Sequence, residues 1–88
     1  MHAVLVKVSI TDAASAEKGL ETRVPLVSGL KGFVAGYWTR SDDGTNGKSM
    51  LVFESEEAAK AAAERIAANV PTGVTFESAE VREVVASA

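Results

Sequence analysis

Residues 32–54 read GFVAGYWTRSDDGTNGKSMLVFE: an apolar run, a stretch dense in turn residues, and a second apolar run. Asp43-Gly44 and Asn46-Gly47, inside the loop Ser41–Lys48, are hairpin signals because these residues accept positive φ at little cost. The flanking runs, Phe33–Arg40 and Ser49–Glu54, therefore read as antiparallel strands. Val34, Tyr37 and Trp38 in the first, and Met50, Leu51, Val52 and Phe53 in the second, include bulky residues at adjacent positions. Side chains alternate across a strand, so this pattern puts apolar groups on both faces of the sheet. Both faces then need cover.

On the N-terminal side, Ala3–Ile10 is rich in Val, Leu and Ile and reads as a strand. Thr11 and Asp12 are candidate N-caps for a helix over Ala13–Ser28. Ala13, Ala16, Leu20, Val24 and Val27 fall on one helical stripe. Pro25 lacks a backbone donor, which predicts a kink, or an end to the regular helix near Val24. Gly29 to Gly32 form its exit.

On the C-terminal side, Ser55 is a good N-cap, and Glu56 and Glu57 suit the positive end of a helix dipole. The helix Glu56–Asn69 is rich in alanine, with Ala59, Ala62, Ala63, Ile66 and Val70 expected to face inward. Pro71, Thr72 and Gly73 end it. Val74–Val85 reads as a long last strand with a polar middle. The order β-α-β-β-α-β predicts one α+β domain over residues 1–88. It is the ferredoxin-like, split βαβ arrangement, a four-stranded antiparallel sheet with two helices on one face.

Eighty-eight residues suffice for one small domain, and the 47 % apolar content is globular. The formal charge is −3, and the nine Lys and Arg are scattered, which argues against a nucleic-acid partner. There is no cysteine, so disulfide and thiolate chemistry are excluded. The opening MHAVLVKVSI has no basic segment before its apolar run, and Lys7 interrupts that run, unlike a signal peptide. No stretch approaches the ~20 apolar residues that span a bilayer. A cytoplasmic protein without a membrane partner is expected.

Two helices cover one sheet face only. Parity divides the strands into Val4, Val6 and Val8 against Ala3, Leu5, Lys7 and Ser9; Phe33, Ala35 and Tyr37 against Val34, Gly36 and Trp38; and Leu51 and Phe53 against Met50 and Val52. On either assignment the uncovered face keeps several large apolar groups. At ~25 cal/mol per Å2, leaving them wet costs several kcal/mol, and such patches mark interfaces. The expected partner is a second copy, sheet against sheet, in a symmetric homodimer.

The chain resembles the dimeric α+β barrel superfamily, and within it small actinobacterial proteins related to the antibiotic biosynthesis monooxygenase family. The resemblance rests on the first strand His2–Ile10, the segment Gly32-Phe33-Val34-Ala35-Gly36-Tyr37-Trp38-Thr39-Arg40, the junction Val52-Phe53-Glu54-Ser55-Glu56-Glu57-Ala58, and the closing Val81-Arg82-Glu83-Val84-Val85. It implies the barrel-forming dimer. It also implies either a non-catalytic dimer that binds a small apolar or aromatic molecule or serves as an accessory protein, or a cofactor-independent monooxygenase acting on an aromatic, polyketide-like molecule. Haem-degrading members carry an Asn on the first strand and a Trp and a His near the second helix. This chain has none of these there, which disfavours haem cleavage.

The candidate site residues are Trp38, Tyr37 and Arg40, with Asn69 beside them. Trp38 offers ring area and one donor for a planar ligand; the alternative is core or interface packing. Tyr37, on the opposite face, offers a hydroxyl for a phenolate or carbonyl oxygen, or else rims the core. Arg40 stabilises a developing oxyanion in the oxygenase reading, or else pairs with Asp42 or Asp43 at the surface. His2 is the only histidine and is expected at a frayed, solvated end. One histidine and no cysteine leave no transition-metal set, and Asp42-Asp43 lacks the spacing of a calcium loop. No phosphate loop and no serine–histidine pair is present, and no cofactor is implied.

Overall fold

The computed structural model describes the whole chain, Met1–Ala88. Its elements are β1 (His2–Ile10), α1 (Ala13–Ser28), β2 (Phe33–Arg40), β3 (Asn46–Phe53), α2 (Glu56–Ala68) and β4 (Val74–Glu83). The strands form one four-stranded sheet in the order β2-β3-β1-β4, every neighbouring pair antiparallel. This is the ferredoxin-like α+β architecture.

Several boundaries move. β3 begins at Asn46 rather than Ser49, because a tight turn closes the hairpin early. The Asp43 carboxylate accepts bonds from the hydroxyls of Ser41 and Thr45, both at 2.7 Å, and from the Thr45 amide at 3.0 Å. β4 ends at Glu83 rather than Val85. α1 runs unbroken through Pro25 to Ser28, contrary to the early end expected near Val24. The proline removes a single bond close to the helix end, and its own carbonyl accepts from the Gly29 amide and the Ser28 hydroxyl, each at 3.1 Å. Both N-caps form: Asp12 accepts from the Ser15 amide and hydroxyl, and Ser55 accepts from the Ala58 amide.

The core lies between α2 and the sheet. Val4, Val6, Leu51 and Phe53 point from the strands into Ala59, Ala62 and Ile66 of α2, with Val27 added from α1. Alanines at the contact let α2 sit close. α1 is different. Of its expected inner stripe only Val27 is buried, Ala16 is half-buried, and Ala13, Leu20 and Val24 are exposed. α2 packs on β1, β3 and β4, whereas α1 rests chiefly on β2.

Two bulges reset the strand parity. β2 shifts register between Phe33 and Ala35, so Val34 is an extra residue. Phe33 therefore does not share a face with Ala35 and Tyr37, as regular alternation predicted. It turns to the helices and meets Phe53 edge-to-face, with ring centroids 5.8 Å apart. β4 shifts between the partners of Lys7 and Val8, which makes Glu77 its extra residue. That shift lets Phe76, Ala79 and Val81 all face the helices although the strand's middle is polar.

The other face carries no helix. Reading across β2, β3, β1 and β4, one row is Ala35, Val52, Ala3 and Arg82, the next Tyr37, Met50, Leu5 and Glu80, the next Thr39, Lys48, Lys7 and Ser78. Tyr37 is 66 % and Met50 46 % exposed. No helix is long and apolar enough to cross a membrane.

Candidate functional site

The loose seating of α1 leaves a cleft between that helix and the sheet. Its inner chamber has a volume of about 100 Å3, with Val6, Val8 and Leu51 of the sheet, Trp38, Phe76, Val27 of α1 and Ile66 of α2 among its walls. The chamber continues into a wider mouth of about 310 Å3 near Ile10 and Gly47, rimmed by Glu17, Arg40 and Lys48. Trp38, Ser49, Val8, Ala16, Leu20 and Val74 border both spaces.

The cleft exists because small residues face each other across it. α1 contributes Ala16 and Gly19, and the helix side of the hairpin contributes Gly47 and Ser49. None of these fills the space that Leu or Ile fills in a packed core. Gly36 has a separate role. A Cβ placed there would lie 3.1 Å from Trp38 Cη2 and Cζ3 and 3.1 Å from Leu51 Cδ2. The Trp38 ring thus folds back along β2 and rests over Gly36 as the wall of the cleft.

The polar groups of the cleft are few. Ser49 sits on the helix face opposite Val6 and Trp38, and its hydroxyl is the only one in the inner chamber. It was missed in the sequence reading, although a serine in phase with Leu51 and Phe53 is a polar group on a core-facing row. Arg40 faces the helix side at the mouth and is exposed. The pairing expected with Asp42 or Asp43 does not form: the chain's ion pairs are His2–Glu56, Lys60–Glu56 and Arg82–Glu80. Asp43 is held instead by the Thr45 hydroxyl, the Ser41 hydroxyl and the Thr45 amide, which keep its carboxyl below the usual range. Arg40 is left with its charge unanswered.

At the far end, Arg23 of α1 donates from Nη2 to the carbonyl of Asn69, which caps α2. The bond ties the two helix ends together and places a cation at a helix C-terminus, where the dipole favours it. Burial lowers the Arg23 pKa, yet a guanidinium remains protonated. Asn69 spends its side-chain amide on the Arg65 carbonyl at 2.9 Å, so it is a helix cap outside the chamber.

Trp38 and Arg40 thus meet at one cleft, and Tyr37 does not join them. It lies on the uncovered face beside Met50 and borders a shallow groove with Lys7, Lys48 and Glu80. His2 is not frayed, contrary to expectation. It is paired within β1, its side chain is 20 % exposed, Nε2 lies 3.5 Å from Glu56 Oε2, and Nδ1 is buried without a partner. It stands six residues before Val8, ~20 Å along the strand from the mouth of the cleft. No cluster of three or more His, Asp or Glu side chains is placed to hold a metal ion.

No protein family matches the chain, and no curated protein shows significant sequence similarity to it.

Proposed function

We propose that this protein is a non-catalytic, small-ligand-binding homodimer of the dimeric α+β barrel type, with its ligand site in the cleft under α1. The observation that carries the reading is the cleft itself. An apolar chamber walled by the single tryptophan, with one hydroxyl inside and a charged rim, has the make-up of a small-molecule site. An unfilled chamber is destabilising by about 24 cal/mol per Å3, so a space of this size opposes stability unless something uses it.

The dimer is supported by the uncovered sheet face. On it Tyr37 and Met50 are 66 % and 46 % exposed in a single chain. Beside them Lys7 and Lys48 stand directly opposite each other and unpaired, a repulsive cross-strand arrangement. A second copy supplies Tyr37, Met50 and Leu5 to cover the apolar groups, and for the lysines Glu80, shared with Arg82, and Glu77, shared with the Ser9 hydroxyl.

The monooxygenase reading finds less support. A substrate carbanion needs a base, and the ionisable side chains bordering the cleft are Glu17, Arg23, Arg40 and Lys48. Of these, only Glu17 can serve as a carboxylate base, from the outer rim. The inner chamber is also smaller than a polycyclic substrate.

Three measurements test the proposal. Titrating the protein with a one-ring apolar probe should change Trp38 emission and raise the melting temperature. Sedimentation at micromolar concentration should give two copies per particle. Oxygen uptake above background with an anthrone-like hydroquinone would overturn the non-catalytic reading.

A further inference from the structure

We propose that the ligand of this cleft is a short apolar carboxylate, its single ring or short chain in the inner chamber and its carboxylate on Arg40 at the mouth. This rests on the cleft being a ligand site and adds the ligand's chemical class.

Volume sets the apolar part. The chamber of about 100 Å3 is smaller than the ~150 Å3 engineered cavity that accepts benzene, so it holds a chain of a few carbons, or one ring that extends into the mouth, and no fused system. Anything longer must emerge into the mouth. Charge sets the other end. At the mouth the charged side chains on the helix side are Arg40 of β2 and Glu17 of α1, while Lys48, which also borders it, belongs to the uncovered face. Arg40 forms none of the chain's ion pairs, because the nearby Asp43 is engaged by its own turn. A free guanidinium beside an apolar opening suits a planar carboxylate, which it binds through two parallel bonds. Trp38 runs along both spaces, so it flanks the bound ring and its emission reports occupancy directly.

The test compares 3-phenylpropanoate with 3-phenylpropan-1-ol, which differ in the charged group alone, by titration against Trp38 fluorescence at low salt. The wild-type chain should bind the acid at least tenfold more tightly than the alcohol. Arg40→Gln should bring the two affinities within threefold by weakening the acid, and should leave the alcohol unchanged. Arg40 is exposed at a strand end, so the variant should melt within a few degrees of the parent, and Arg40→Lys should restore part of the preference. Equal binding of acid and alcohol by the wild type, or a preference that survives in Arg40→Gln, overturns the carboxylate assignment while leaving the cleft as a ligand site. Failure of both probes to bind overturns the cleft reading as well.

Discussion

Filling the inner chamber should make the protein more stable and deprive it of its ligand. Ala16 borders both chamber and mouth and is half-buried on α1. Ala16→Leu adds three carbons there without harming helix propensity. At about 24 cal/mol per Å3, the chamber of about 100 Å3 carries a deficit of roughly 2.4 kcal/mol. A leucine cannot match the cavity's shape fully, and overpacking takes back ~1 kcal/mol or more. The expected net gain is about 1 kcal/mol, which raises the melting temperature by roughly 4–8 °C in a domain of this size. Urea unfolding followed by Trp38 fluorescence measures it, with both proteins at one concentration because a dimer's stability depends on concentration. The same variant should lose at least tenfold in affinity for a one-ring probe. A loss of more than 1 kcal/mol on Ala16→Leu would mean that the space is already filled by neighbouring side chains. A gain in stability with ligand affinity intact would put the ligand elsewhere.

Gly36→Ala puts a methyl 3.1 Å from the Trp38 ring and from Leu51, and should cost about 1–3 kcal/mol by overpacking while shifting Trp38 emission to the red; an unchanged spectrum would show that the ring does not rest there. Tyr37 is 66 % exposed on the uncovered face, which leaves about 130 Å2 worth roughly 3 kcal/mol for a second copy to cover. Tyr37→Asp should therefore weaken self-association at least a hundredfold in sedimentation and leave the fold intact by circular dichroism. The Ser15 amide and hydroxyl hold the Asp12 carboxyl below the usual range, so the stabilisation from this cap is full above the ordinary aspartate pKa of ~3.9 and fades as pH falls through the lower folded value. Asp12→Ala should accordingly lower the urea midpoint at neutral pH, and the gap to the parent should close on acidification; a gap independent of pH would remove the charged cap from the account.

The element order was legible because each boundary has a local chemical cause. Asp43-Gly44 announced the hairpin, Ser55 with Glu56 and Glu57 announced α2, and the β-rich runs announced the strands. Alternation also separated Tyr37 from Trp38 correctly. It failed at Phe33, because the bulge at Val34 depends on how β2 pairs with Phe53 and Val52, which no local pattern records. The same limit hid the cleft. Ala16, Gly19, Gly47 and Ser49 are unremarkable one by one, and leave a void only when α1 lies across the hairpin. The stripe on α1 promised tighter contact than forms, since Val24 stays exposed, as does Leu20 at the edge of that void. Arg40 was found as a candidate, but its freedom from Asp43 follows from the turn that Ser41 and Thr45 close around that carboxylate.

Xenon binding measures the chamber most directly, since dry apolar cavities take up this atom without any polar recognition. Crystals pressurised with xenon should show it between Trp38, Leu51, Ile66 and Phe76, and should show none there in Ala16→Leu. Wild-type crystals with no xenon under α1, or equal occupancy in both proteins, would contradict an open site walled by Trp38.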